Sequence, residues 1–143
     1  MKGLSLAAFI LLVAAVSYLA YHRALLGTGP ISIGIQALAV VLMIWARFTL
    51  GVRSFHATAN PTEGELVTSG PYRFIRHPIY AAVAYFLAAA LSVHPSIPNG
   101  IATVTAFVGI ALRIMAEEKL LRAQYPAYAE YSRRAKRVVP FLL

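Results

Sequence analysis

The chain of 143 residues has no cysteine, and its acidic residues number 5 against 13 lysines and arginines. Without cysteine there is no disulfide framework, no thiolate nucleophile and no cysteine-based zinc or iron–sulfur site. His22, His56, His77 and His94 are scattered, and no two have the i, i+4 spacing of a helical metal site, so no metal is expected. The serines and threonines lack a G-x-S-x-G or comparable nucleophile context, which disfavours covalent catalysis. A glycine-rich phosphate loop is missing too. Gly27-Thr28-Gly29-Pro30 lacks the strand–turn–helix surroundings that give such a loop meaning, and it reads as a turn. There is no internal repeat and no low-complexity tract.

What the chain does have is apolar length. With 59% hydrophobic residues and a mean hydropathy of +0.69, it is too apolar for an ordinary soluble domain and too short for several domains. A single integral-membrane domain over residues 1–143 fits. The formal charge of +8 raises the question of nucleic acid, but the cations fall between apolar spans and not along a soluble binding face, so no nucleic-acid partner is expected.

Leu4 to Tyr21 is nearly unbroken in apolar residues and close to the roughly 20 that a spanning helix needs. A signal peptide is the alternative. The run exceeds the usual ~7–15 residues of a signal peptide's core, however, and Tyr21-His22-Arg23 is a poor cleavage context. After the turn at Gly27 to Pro30, Ile31 to Ala46 gives a second span that ends at an interface marked by Trp45 and Arg47. Arg47 to His77 is the longest polar connection, and such loops are often functional. Ile79 to Val93 is a third helix, and its reach of about 22 Å falls short of the ~30 Å hydrocarbon core. His94 to Gly100 makes a reversal into a fourth helix with Ile101 to Met115 as its core, antiparallel to the third. A charged extension runs through Arg122, with a break near Pro126 and a short helix from Ala127 to about Ala135. The expected architecture is therefore all-α and polytopic: about four transmembrane helices with a cytoplasmic C-terminal helical extension.

The cations set the expected orientation. With the N-terminus inside, Lys2, Arg47, Arg53, Arg73, Arg76, Arg113, Lys119, Arg122, Arg133, Arg134, Lys136 and Arg137 are all cytoplasmic, leaving Arg23 outside. Both termini and the Arg47 to His77 loop then share the cytoplasmic face.

The stretch Gly70-Pro71-Tyr72-Arg73-Phe74-Ile75-Arg76-His77-Pro78-Ile79-Tyr80 brings polar and cationic groups directly against an apolar segment. A proline disfavours the α region for the residue before it and suits the first helical position, so a helix is expected to begin at Pro78. The first-turn N–H groups of Ile79, Tyr80 and Ala81, at the positive end of the helix dipole, would make a carboxylate or phosphate seat. A juxtamembrane basic cluster with aromatic anchors would leave the same pattern without any chemistry, and spacing alone keeps both readings open. Arg113 and Glu117 share a helix face near the inner boundary of the fourth span, in the order that stabilises a helix less. Glu118 and Arg122 have the favourable order and read as a structural pair. That leaves Glu117 as the functional carboxylate, with a solvated interfacial acid as its alternative.

The 70–80 stretch, followed by Arg113, Glu117-Glu118, Leu121, Tyr128-Ala129-Glu130-Tyr131, Arg137 and Pro140, resembles the integral-membrane isoprenylcysteine carboxyl methyltransferase family and its phospholipid methyltransferase relatives. The resemblance covers residues 64–143, the half expected to be catalytic. It implies a bound S-adenosylmethionine in a pocket formed with the C-terminal extension. The implied cofactor contacts are the backbone of Gly64, Glu65, Leu66 and Val67, together with Tyr72, His77, Pro78, Ile79, Tyr80 and Glu117. Arg113 falls where the family places a substrate-side arginine, so Arg113 and Glu117 are the implied catalytic pair. Tyr125-Pro126 stands where the family usually has Phe-Gly.

The reaction so implied is in-line methyl transfer to a lipid-like acceptor in the bilayer, foremost a prenylated cysteine carboxylate. Alignment and exclusion of water are then the protein's main contributions. Phospholipid amine N-methylation, a nicotinamide-dependent membrane reductase and a non-catalytic scaffold are the other readings. The residues do not indicate an oligomeric state.

Overall fold

The computed structural model describes residues 2–51 and 66–140. Among these residues it is all-helical: α1 (Lys2–Tyr21), α2 (Pro30–Leu50), a 3-10 turn (Gly70–Arg73), α3 (Pro78–Val93), α4 (Ile97–Gln124) and α5 (Tyr128–Arg134). The elements follow the apolar runs and their punctuation. Pro30 and Pro78 each sit in a first helical turn, where a missing N–H costs nothing. Ser96 caps α4 by accepting from the Asn99 N–H. The reversal after α3 is thus tighter than His94 to Gly100, because α4 already begins at Ile97.

By length and composition α1, α2 and α4 are able to cross a bilayer, and α3 is a shorter apolar helix. The 28 residues of α4 reach about 42 Å, well beyond the ~30 Å hydrocarbon core, so its charged last turns project from the membrane. The 16 residues of α3 reach only about 24 Å.

Across the bundle the order is not the chain order. α1 packs along α4 and α2 along α3, with a smaller α3–α4 contact joining the two pairs. The α1–α4 seam is built from small residues at spacings of three, four and seven: Ser5, Ala8 and Ala15 on one side, Ala102, Ala106 and Gly109 on the other. Small residues let backbones approach closely where lipid supplies no hydrophobic drive between helices. At Gly109 an added Cβ would lie 2.8 Å from the Ala8 carbonyl oxygen.

Polar groups tie the α2–α3 pair. The Ser32 hydroxyl donates to the Ala89 carbonyl at 2.9 Å. Buried Gln36 gives its amide N–H to the carbonyls of Leu25 (3.0 Å) and Phe86 (3.2 Å) and accepts from the Gly27 N–H at 2.8 Å. One side chain thereby bonds three backbone groups of the α1–α2 connection and α3.

α1 and α2 stand at opposite ends of this curved row and leave an apolar cleft of about 400 Å³ over α3. Leu12 and Val16, Val40 and Met43, and Val83 and Phe86 are among the side chains lining it.

Candidate functional site

At one end of the bundle the start of α1, the end of α2, the start of α3 and the charged part of α4 come together. The entry is the 3-10 turn. Gly70 takes φ +56, a conformation that favours glycine, and a Cβ there would lie 2.6 Å from Thr49 Oγ1 at the end of α2. Pro71 and Tyr72 are buried beneath this turn, and the Tyr131 hydroxyl of α5 donates to the Tyr72 carbonyl at 2.6 Å. Burial pushes the pKa of both phenols up, so both stay protonated at neutral pH.

The N–H groups of Phe74 and Ile75 still donate to the Pro71 carbonyl at 3.1 Å, but those of Arg76 and His77 pair with the chain after α5. The Arg76 N–H donates to the Lys136 carbonyl at 2.6 Å, His77 N–H to the Arg137 carbonyl at 3.0 Å, and Lys136 N–H to the Phe74 carbonyl at 3.1 Å. The outcome is a short parallel bridge between Ile75 and Lys136. His77 is only 5% exposed, with Nδ1 3.7 Å from Glu117 Oε2 and Nε2 3.4 Å from Glu118 Oε1.

Two ionic groups are built on successive residues of α4. In the first, Tyr80 lies between Arg113 and Glu117: Arg113 Nε donates to the Tyr80 hydroxyl at 2.7 Å, and that hydroxyl donates to Glu117 Oε1. Arg113 NH2 is 3.6 Å from the same carboxylate, and NH1 reaches the Ser5 carbonyl of α1 at 3.3 Å. The guanidinium also lies 5.3 Å from the Phe9 ring centroid and 5.6 Å from that of Tyr80. Its side chain is 5% exposed, whereas that of Glu117 is 25% exposed. Glu117 is therefore the carboxylate of this group open to a visitor.

The second group centres on Glu118, which is buried. Arg76 NH1 lies 2.8 Å from Oε1, and Arg137 grips the carboxylate bidentately at 3.2 Å to each oxygen. That fork raises the Arg137 pKa, chiefly through its hydrogen bonds to Glu118. Arg122, the partner expected from spacing, is 4.0 Å away and largely exposed. The expected Glu118–Arg122 pair is the outermost of these contacts, because burial of Glu118 favours partners that other elements bring to it.

The expected first-turn donors also need correction. The Ala81 N–H is taken by the His77 carbonyl at 2.9 Å, leaving Ile79 and Tyr80 as the N–H groups without an intrahelical partner. The structure brings together Tyr72, His77, Pro78, Ile79, Tyr80, Arg113 and Glu117; Leu66 and Val67 lie half-buried on the approach to the turn. Gly64 and Glu65 lie outside the described residues. The sequence reading missed Ser5 and Phe9, which hold Arg113 from α1. The small residues Ser5, Ala8 and Ala15 mark a packing face on α1 but do not name Arg113 as its partner.

Spans that end in a shared, partly buried ionic site define an integral-membrane protein with its polar site at one end of the bundle. The chain belongs to the isoprenylcysteine carboxyl methyltransferase (ICMT) family, whose pattern matches residues 32–123, a range that includes His77, Tyr80, Arg113, Glu117 and Glu118. Over 112 residues the chain is 30% identical to the cobalt-zinc-cadmium resistance protein CzcN of Cupriavidus metallidurans, a match covering 74% of this chain and 46% of that protein. The chain thus spans less than half the length of that curated relative. No solved structure matches.

Proposed function

We propose that this chain, as a single domain, uses S-adenosylmethionine to methylate a lipid-like acceptor, foremost the carboxylate of a prenylcysteine or a similar amphipathic molecule. The supporting observation is the Arg113–Tyr80–Glu117 group, packed beside His77 at the start of α3. Its parts fit such a donor: Glu117 offers an accessible carboxylate to a cation, and the free first-turn N–H groups of Ile79 and Tyr80 suit a carboxylate. Leu66, Val67, Tyr72, His77 and Pro78 would complete the seat, with Gly64 and Glu65 extending it and the C-terminal segment closing it.

When bound, the donor supplies an electrophilic methyl group on a sulfonium. The protein's part is to orient and to exclude water. Tyr80 bridges Glu117 and Arg113, and the Phe9 and Tyr80 rings lie close to the guanidinium. Arg113 would steady an anionic acceptor. The apolar cleft suits an acceptor's hydrocarbon tail, since Ala82 and Val83 on its wall follow closely on Tyr80 in α3. Phospholipid amine methylation is the second reading, favoured by the exposure of Glu117, which could take up the proton of an amine.

Calorimetric titration of the purified protein with S-adenosylmethionine and with reduced nicotinamide cofactor tests the proposal. Binding of the first alone is expected. Glu117→Gln should weaken it by about 1.5–3 kcal/mol, the range for a hydrogen bond to a charged group. Binding of the nicotinamide cofactor, or of neither, would overturn the reading. A lipid-extract screen with radiolabelled methyl donor then separates carboxylate from amine acceptors.

A further inference from the structure

We infer that residues 135–138 act as a clasp across the candidate donor seat, and that Glu118, Arg137 and Tyr85 are positioning residues that keep it shut. The inference rests on the methyltransferase reading for what the seat holds, but the clasp itself is built from contacts in the fold. Proline at 78 bars His77 from helical geometry, and His77 sits at φ −126, ψ 59. The N–H groups of Arg76 and His77 must then find carbonyls elsewhere, since buried backbone donors are rarely left unpaired. They find them at Lys136 and Arg137. The backbone that aims the His77 ring and introduces the N–H groups of Ile79 and Tyr80 is thus fixed from both sides, its N–H groups by the tail and the His77 carbonyl by the Ala81 N–H of α3.

Side chains from two helices hold the tail. Arg137 is forked onto Glu118 of α4, and the Tyr85 hydroxyl of α3 donates to the Val138 carbonyl at 2.6 Å. Ala135 is fully buried where the segment begins. Glu118 touches both sides of the clasp, with Arg76 and His77 on the loop and Arg137 on the tail. A ligand seated on residues 77–80 and closure of the tail therefore stabilise the same backbone. By linkage each must favour the other to the same extent.

The test is amide hydrogen exchange on the full-length protein in lipid nanodiscs, with and without S-adenosylmethionine, read at residues 74–77 and 135–138. The comparison is between wild type, Tyr85→Phe, Arg137→Gln and Arg137→Lys. In wild type the donor should slow exchange in both segments. Tyr85→Phe and Arg137→Gln should speed it there about tenfold without donor, a loss of ~1.4 kcal/mol of local closure, and leave α1 and α2 unchanged. Both should raise the donor KM several-fold with kcat nearly kept, and Arg137→Lys should recover part of the loss. A purely structural tail would lower stability throughout and leave the donor KM unmoved. Unchanged exchange in both variants, or faster exchange with an unaltered donor KM, overturns the inference. If wild type binds no S-adenosylmethionine, the methyltransferase reading falls and the coupling falls with it, while loss of local protection in the variants still establishes the clasp.

Discussion

Replacing Gly109 by alanine adds one methyl group at the tightest point of the α1–α4 seam. Its Cβ would stand 2.8 Å from the Ala8 carbonyl oxygen and 3.4 Å from the Leu12 nitrogen, both backbone atoms that no side-chain rotation can remove. α1 must move away by roughly half an ångström to restore ordinary contact, and overpacking of this kind costs about 1–3 kcal/mol. Alanine also favours a helix over glycine by about 1 kcal/mol, which would mask part of the loss. Gly34→Ala in α2 supplies the control, because a Cβ there meets nothing within 4 Å while the helix gains the same propensity. The difference in unfolding free energy between the two variants isolates the clash at about 1–3 kcal/mol. The clash also reaches the site. The Arg113–Ser5 bond is already long at 3.3 Å, and a shift of α1 would break it. Reversible unfolding in mixed micelles, paired with methyl-transfer turnover, measures both effects. Equal stabilities for Gly109→Ala and Gly34→Ala would refute the close α1–α4 crossing.

Gln36→Leu should destabilise the bundle by about 0.6 kcal/mol, the average for an interhelical hydrogen bond in a membrane, and by no more than ~1.7 kcal/mol, and a neutral result in the same unfolding assay would show that the three backbone groups find other partners. Arg113→Leu should leave donor affinity within about twofold in calorimetry while slowing methyl transfer, because the acceptor and not the donor loses its cation; a parallel fall in donor affinity would move Arg113 into the donor seat. Reporter fusions should place both termini and an insertion near Asn60 in the cytoplasm, and an externally accessible tag at Asn60 would overturn the orientation drawn from the cations.

The spans were legible because apolar runs and prolines act locally: Pro78 announces the start of α3 and Gly27 to Pro30 the turn before α2. Arg113 and Glu117 were legible as neighbours by their helical spacing. What the spacing could not show was who else would come. Glu118 reads along the chain as the partner of Arg122, yet its closest contacts come from Arg76 and Arg137, on elements whose approach depends on tertiary packing. The Ala81 N–H was miscounted because the N-cap carbonyl of His77 already takes the first intrahelical bond. Ser5 and Phe9 were invisible as partners of Arg113 for a similar reason, since no local rule links the first helix to the fourth.

The order of helices across the bundle also bears on how the chain is made. α2 and α3 can join as soon as both have entered the membrane, with Ser32 and Gln36 finding their carbonyls at once. α1 leaves the ribosome ahead of α2 and α3, yet its partner α4 follows both of them, and Arg113 meets the Ser5 carbonyl across a separation of 108 positions. Until then the N-terminal helix waits in lipid with its seam of small residues unmatched. The ionic site therefore cannot assemble before α4 is in place, and errors in retaining α1 would surface as a misassembled site at residues synthesised long afterwards.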